Sequence, residues 1–268
     1  MTLAIAIVNP EGVVVAADSR QSYTRAGVFR VGSESGIKLF ELTNTVVAAT
    51  SGYGFLRPAT AATPRNISSL VEDWKPTVNA GASVQDVATA LYAHLSTLYT
   101  EHIGHFPNEA VAAGHVALTF LVAGYDPGSR LGVVFDFHVP GGAPTQRLDS
   151  NGAGTWLIGQ NDVALRLFNG YDNRILTLPV LQAAHQAGTA LAQLQGLAYL
   201  VNFHTMTLQD AIDFVTGTIQ ITIVIQRFAD GIAMQPGGPP GVGGPIDVAV
   251  IRPGGGAVEW IARKALHP

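Results

Sequence analysis

The stretch TLAIAIVNPEGVVVAADSR, Thr2 to Arg20, decides how the rest of the chain is read. Two apolar runs, LAIAIV and VVVAA, flank the turn Asn9-Pro10-Glu11-Gly12, which is the pattern of a hairpin of two buried strands. Asp18 falls where the second strand ends, and Thr2 stands in front of the first. A threonine that leads its chain can be nucleophile and base at once, because an α-amine with a pKa of about 7.7 to 8.0 can take the proton of the hydroxyl beside it. This chemistry requires that Met1 be removed, and it is blocked if Met1 stays.

Outward from that hairpin, Ser19 to Gly36 reads as a polar, glycine-containing loop. IKLFEL, a turn at Thr43-Asn44 and TVVAATSG then read as a second hairpin, in which Lys38 begins a strand and Gly52 ends one. Pro58, Pro64 and Pro76 confine any helix between them to NISSLVEDW. Ser83, with Asp86 three positions on, caps a helix that carries Val87, Leu91, Leu95 and Leu98 to about Ile103. HVALTFLVAGY and RLGVVFDFHV form a third hairpin across Asp126-Pro127-Gly128-Ser129, followed by a loop, PGGAPTQRLDSNGAG, and a short strand, TWLIG.

Helical composition returns over 160–170 and 178–200, and Thr207 caps LQDAIDFV. The next run, TIQITIVIQRF, alternates Ile219, Ile221, Ile223 and Ile225 as a strand would, yet follows a capped helix, so periodicity leaves both assignments open. GIAMQPGGPPGVGGP is a Gly/Pro loop, and IDVAVI, PGGG and AVEWIA close the chain as a last hairpin. Blocks of strands alternating with blocks of helices give an α+β chain of two stacked antiparallel sheets covered by helices, expected to be one domain over 1–268.

Composition narrows the function classes. The charged fraction is 13%, against roughly 25% in typical domains, which favours apolar surface hidden between identical subunits. A net charge of -4 with no Lys/Arg run argues against nucleic acid and acidic membranes as partners. Cysteine is absent, which removes disulfides, thiolate metal sites and a cysteine nucleophile together. LAIAIV has no basic residues before it and is far shorter than the ~20 apolar residues of a membrane span, so a cytoplasmic protein is expected. His102 and His105 lie three apart without a third ligand in view, Ser150 to Gly154 lacks the lysine of a phosphate loop, and a strand rather than a helix follows GVGG. No metal or cofactor is expected.

Thr2, VVVAADSR with Asp18, IKLFEL with Lys38 and ATSG with Gly52 together resemble the N-terminal-nucleophile hydrolases, specifically the β-type proteasome subunits and their simpler bacterial relatives. MTLQDAIDFV and GGPIDVAVI resemble that family's penultimate helix and last core strand, so the likeness covers about 2–55 and 205–262. It implies a four-layer αββα sandwich, the Ntn-hydrolase fold. It also implies a threonine-type endopeptidase with Thr2 as nucleophile, Asp18 and Lys38 as its charged partners and the Gly52 N–H as oxyanion donor. Arg20 and Ser22 would shape the loop, and Thr24 to Val31 with Tyr53 would line the pocket.

The same resemblance implies a ring or stacked rings of identical subunits, unfolded polypeptide as substrate and an ATPase unfoldase as partner. The chain departs from the family where two serines are expected, with Ala153 in Gly152-Ala153-Gly154 and Val242 before the last strand. Thr155 is the candidate substitute for the first serine. Asp230 takes the family's aspartate place if Gly231 to Gly241 is an insertion, whereas an ungapped reading puts Gln226 or Pro239 there. Alternative functions are an amidase or acyl transferase on small amides, and a catalytically silent structural subunit.

Overall fold

In the computed structural model, which describes residues 2–25, 28–148, 152–186, 188–232, 235–236 and 240–264, the first hairpin forms as read. β1 (Leu3–Asn9) and β2 (Gly12–Ala17) pair antiparallel with Asn9 opposite Gly12. The polar segment expected to be a loop holds a hairpin of its own, β3 (Gln21–Arg25) with β4 (Val28–Ser33). β4 buries none of its residues fully, so no core-facing alternation marks it in the sequence.

β5 (Leu39–Thr43) and β6 (Val46–Gly52) are the second hairpin, with Lys38 directly ahead of β5 and the turn at Asn44-Thr45. Two short strands, β7 (Phe55–Leu56) and β8 (Arg65–Asn66), lead into α1 (Ile67–Trp74). α2 (Val84–His105) starts where its cap predicts, the Ser83 hydroxyl accepting the Asp86 N–H at 3.1 Å.

β9 (Leu118–Tyr125) and β10 (Gly132–Val139) form the third hairpin. β11 (Gly142–Leu148) then extends it within another segment expected to be loop. β12 (Gly154–Gly159) and α3 (Asp162–Asn169) follow, and the helical stretch over 178–200 divides into α4 (Pro179–Gln186) and α5 (Thr189–Gln195). Its break lies at Gly188, which has φ +74°.

The ambiguous isoleucine run is helical, as the second half of α6 (Leu208–Phe228). A capping box starts this helix: the Thr207 hydroxyl accepts the Asp210 N–H at 3.1 Å and the Asp210 carboxylate accepts the Thr207 N–H at 2.9 Å. Leu208, Ala211, Val215, Ile219 and Thr222 then form one buried stripe at helical spacing, while Ile221 and Ile225 are exposed. β-Branched residues cost a helix only tenths of a kcal/mol each, so packing of the stripe outweighs the local strand preference. A Thr207→Ala variant should lose about 1 kcal/mol, read as a lower urea midpoint at unchanged m. By length and composition α6 could cross a membrane, but here its stripe lies on β1 and β2.

Within the Gly/Pro loop, β13 (Gly231–Ile232) pairs with β14 (Gln235–Pro236), and β15 (Asp247–Ile251) with β16 (Glu259–Ala262) forms the last hairpin. The strands assemble into two five-stranded antiparallel sheets, in the orders β12-β1-β2-β15-β16 and β11-β10-β9-β6-β5.

Three apolar clusters follow from the alternation of β1 and β2, whose successive side chains point to opposite faces. Leu3, Ile5, Ile7, Val14 and Ala16 pack with α6 and Ala164 of α3. Ala4, Ala6, Val13, Val15 and Ala17 pack against Leu39, Val47, Ala49, Leu121 and Ala123 of the other sheet. The far face of that second sheet carries Phe40, Phe120 and Phe137 against α1 and α2. A cleft lies where β1 and β5 begin and β2 and β6 end.

Candidate active site

Asp18 organises this cleft. It is fully buried just past β2, and its carboxylate accepts from the Leu3 N–H at 3.0 Å, the Arg20 N–H at 3.1 Å and the Gly243 N–H at 2.9 Å. The Lys38 ammonium donates to both of its oxygens, at 3.0 and 3.1 Å. Lys38 is held from the other side by its own backbone, whose carbonyl accepts the Thr50 N–H at 2.9 Å. Burial lowers the pKa of the Lys38 ammonium from 10.5, with the charge and hydrogen bonds of Asp18 opposing.

Thr2 is 3% exposed and lines, with Lys38 and Gly52, one cavity of about 760 Å³. Its carbonyl accepts the Gln160 N–H at 2.6 Å. Gly159, at φ +91°, lies beneath that carbonyl so closely that a Cβ would stand 1.9 Å from the oxygen. A Gly159→Ala variant should therefore lose about 1–3 kcal/mol of stability in chemical denaturation and shift Thr2 within the cleft. Gly52 closes β6 at φ +103°, with a virtual Cβ 2.1 Å from the Ala117 carbonyl oxygen, so the backbone conformation and the close contact both select glycine.

The four residues carried by the sequence pattern, Thr2, Asp18, Lys38 and Gly52, thus meet at one end of the paired sheets. Arg20 lies beside them and binds Glu34 through Nε and Nη2 at 2.7–3.2 Å, while its Nη1 donates to the Pro240 carbonyl at 2.9 Å. Ser22 lines the cavity, and its buried hydroxyl has no hydrogen-bond partner among the described residues. Tyr53 is in the wall as expected. Of the expected Thr24–Val31 lining, Val28 to Val31 lie outside the wall, to which Ser22, Tyr23 and Gly32 contribute instead, and the side chains of Thr24 and Arg25 are outside the described residues. Residues 26–27 are outside the described residues, as is Met1.

Two expected supports are elsewhere. The Thr155 hydroxyl donates to the Ala6 carbonyl at 3.0 Å, in mid-strand opposite Ile7. Gly154 pairs with Val8 at the far end of β1, about 17 Å along the strand from Leu3 at 3.4 Å per residue, so the Gly152-Ala153-Gly154 turn faces away from Thr2. Antiparallel pairing instead places Gly159 opposite Leu3, and Gln160 takes the position beside Thr2. Asp230 is exposed beyond the end of α6. Four residues earlier, within α6, Gln226 accepts the Val242 N–H at 2.9 Å and donates to Gln160 Oε1 at 3.3 Å. Pro239 is outside the described residues.

Gln160 could be found only once the antiparallel pairing of TWLIG with LAIAIV is known, since that pairing sets Gly159 opposite Leu3. Lys264 could not. It forms a buried ion pair with Asp247, and burial together with repulsion from Lys38 holds its ammonium down at about 8, Asp18 opposing. This lysine follows β16 without any pattern that announces burial. His102, weighed above for metal binding, is engaged otherwise: its Nδ1 accepts the Arg57 N–H at 3.1 Å and its Nε2 meets Glu109 at 3.0 Å.

No family model matches the sequence, and no curated protein does. Among solved structures, the Anbu (Gly-1) mutant from Hyphomicrobium sp. strain MC1 aligns over 98% of this chain and 87% of its own, with a TM-score of 0.55 at 16% sequence identity. Anbu is a proteasome-like N-terminal-nucleophile protein, so the likeness indicates a proteasome-related fold. At that identity it speaks for the fold alone.

Proposed function

We propose that this chain is a threonine-type endopeptidase of the proteasome β class, with Thr2 as its N-terminal nucleophile. The observation that carries the reading is the buried Asp18–Lys38 pair, whose lysine lines the cavity with Thr2 and whose aspartate is tied to the start of β1 by the Leu3 N–H. On this reading Thr2 is freed of whatever precedes it. Its Oγ1 attacks the substrate carbonyl carbon while its own α-amine takes the proton, and that proton passes to the departing amine.

The resulting ester on Thr2 is then hydrolysed by water, which returns the hydroxyl. Positive charge on Lys38 favours the ionised nucleophile, and the Gly52 N–H donates to the oxyanion, a contact typically worth ~10²- to 10³-fold in rate. The three apolar clusters support a four-layer αββα sandwich. Identical subunits in a ring, with the cleft facing an enclosed chamber and unfolded polypeptide delivered by an ATPase, complete the proposal for a cytoplasmic protein.

One feature favours a second reading. The residue whose backbone N–H meets the Thr2 carbonyl is Gln160, its side-chain amide joined to that of Gln226, where the resemblance implies a serine and an aspartate, which suits a catalytically silent subunit. Treatment of the purified protein with an epoxyketone or β-lactone, followed by intact and peptide mass, separates the two. Covalent adduct on Thr2 with Met1 absent, and casein hydrolysis, support the peptidase. A retained Met1 and an unlabelled Thr2 overturn it. Turnover of small amides without casein hydrolysis would instead identify an amidase.

A further inference from the structure

The cavity that holds Thr2 is bounded on its outer side by Tyr53 and Glu109, and Glu109 is the only carboxylate among its described lining residues. Glu109 is held in place from two sides. Its carbonyl accepts the Tyr53 hydroxyl at 2.7 Å, and its Oε2 lies 3.0 Å from Nε2 of His102, a residue 2% exposed. The Arg57 N–H points at Nδ1 of the same ring at 3.1 Å, so Nδ1 is the bare nitrogen and the ring proton sits on Nε2, donated to Glu109. The imidazole is therefore a neutral support that fixes the carboxylate without cancelling its charge.

The two cations of the wall are each matched already, Arg20 by Glu34 and Lys38 by Asp18. Two buried hydroxyls of the wall, those of Ser22 and Thr50, have no partner among the described residues and can accept hydrogen bonds. Aromatic faces at Tyr23, Tyr53 and Phe55 complete a surface suited to an aliphatic stem with a cationic head.

We infer that this pocket selects a lysine or arginine side chain of the substrate through Glu109, an assignment that rests on the peptidase reading for its use but not for its test. Binding is measured by NMR titration of the full-length Thr2→Ala protein, which does not turn over, with N-acetyl-lysine amide and with its uncharged counterpart N-acetyl-norleucine amide. The lysine amide should bind roughly tenfold more tightly, as expected of a hydrogen bond to a charged group. Glu109→Gln, isosteric at a half-exposed position, should abolish that preference, and Glu109→Lys should turn it towards N-acetyl-glutamate amide.

Equal binding of the two amides, or a preference that survives Glu109→Gln, overturns the inference. The peptidase reading fails separately, when the protein with its native Thr2 shows no labelling there and no hydrolysis while the binding preference stands.

Discussion

A Thr2→Ala variant will lose casein and peptide hydrolysis by roughly 10⁴- to 10⁶-fold, the range seen when a nucleophile that works as part of a unit is removed. The size follows from the proposal that one residue supplies both the attacking oxygen and the base, so no neighbour is left to do half of the chemistry. Thr2 is 3% exposed and its backbone is held by Gln160 and, one residue on, by Asp18, so the loss of a hydroxyl and a methyl should leave the fold in place. Circular dichroism and the urea midpoint check that point. Thr2→Ser should keep measurable activity, since the hydroxyl and amine survive. Casein turnover by Thr2→Ala above a hundredth of the native rate would remove Thr2 from the mechanism.

The second large effect is on stability, at Asp18. Asp18→Ala strips the counter-charge from Lys38, whose side chain is 5% exposed, and removes the carboxylate acceptor of the Leu3 and Gly243 N–H groups, while the Arg20 N–H keeps the Gly243 carbonyl at 2.8 Å. Breaking a buried ion pair from one side costs about 3–5 kcal/mol, because the remaining charge stays buried and unmatched. Against a total of about 5–15 kcal/mol for a domain, that leaves the variant marginal or unfolded.

The physical cause can be isolated with a double variant. Asp18→Ala combined with Lys38→Met removes both charges and should recover part of the loss, so its denaturation free energy should lie above that of Asp18→Ala alone. If the two substitutions simply add, the charge pair is not what stabilises this end of the sheets. Asp18→Asn should fall between, since it keeps one acceptor oxygen for the backbone N–H groups but offers the ammonium a neutral partner.

Most of the strand scaffold was legible because burial writes itself into apolar runs. LAIAIV and VVVAA are buried on both faces, and turn residues bound them, so their pairing follows from local chemistry. β4 and β11 escaped notice for the opposite reason, since largely exposed strands held by backbone hydrogen bonds impose little side-chain pattern. α6 shows tertiary packing overriding a local signal, the alternating isoleucines giving way to a stripe that fits β1 and β2. Thr2, Asp18, Lys38 and Gly52 were readable through the resemblance to the β-type proteasome subunits, and the apolar runs place each of them at a strand end. Gln160, Gln226 and Lys264 were not, because their neighbours come from strands and helices far away in the chain.

What the sequence determined by itself is therefore the set of buried strands, since apolar alternation and turn chemistry act within a few residues, and it is the family resemblance that marks the four residues at their ends. Only the tertiary structure decided which end of β12 meets Thr2, and so that Gln160 rather than Ala153 or Thr155 stands there. The direction of an antiparallel pairing is a property of two strands together. The same holds for the wall at Glu109, where a helix end, a loop and a strand end converge through hydrogen bonds that no local run of residues encodes.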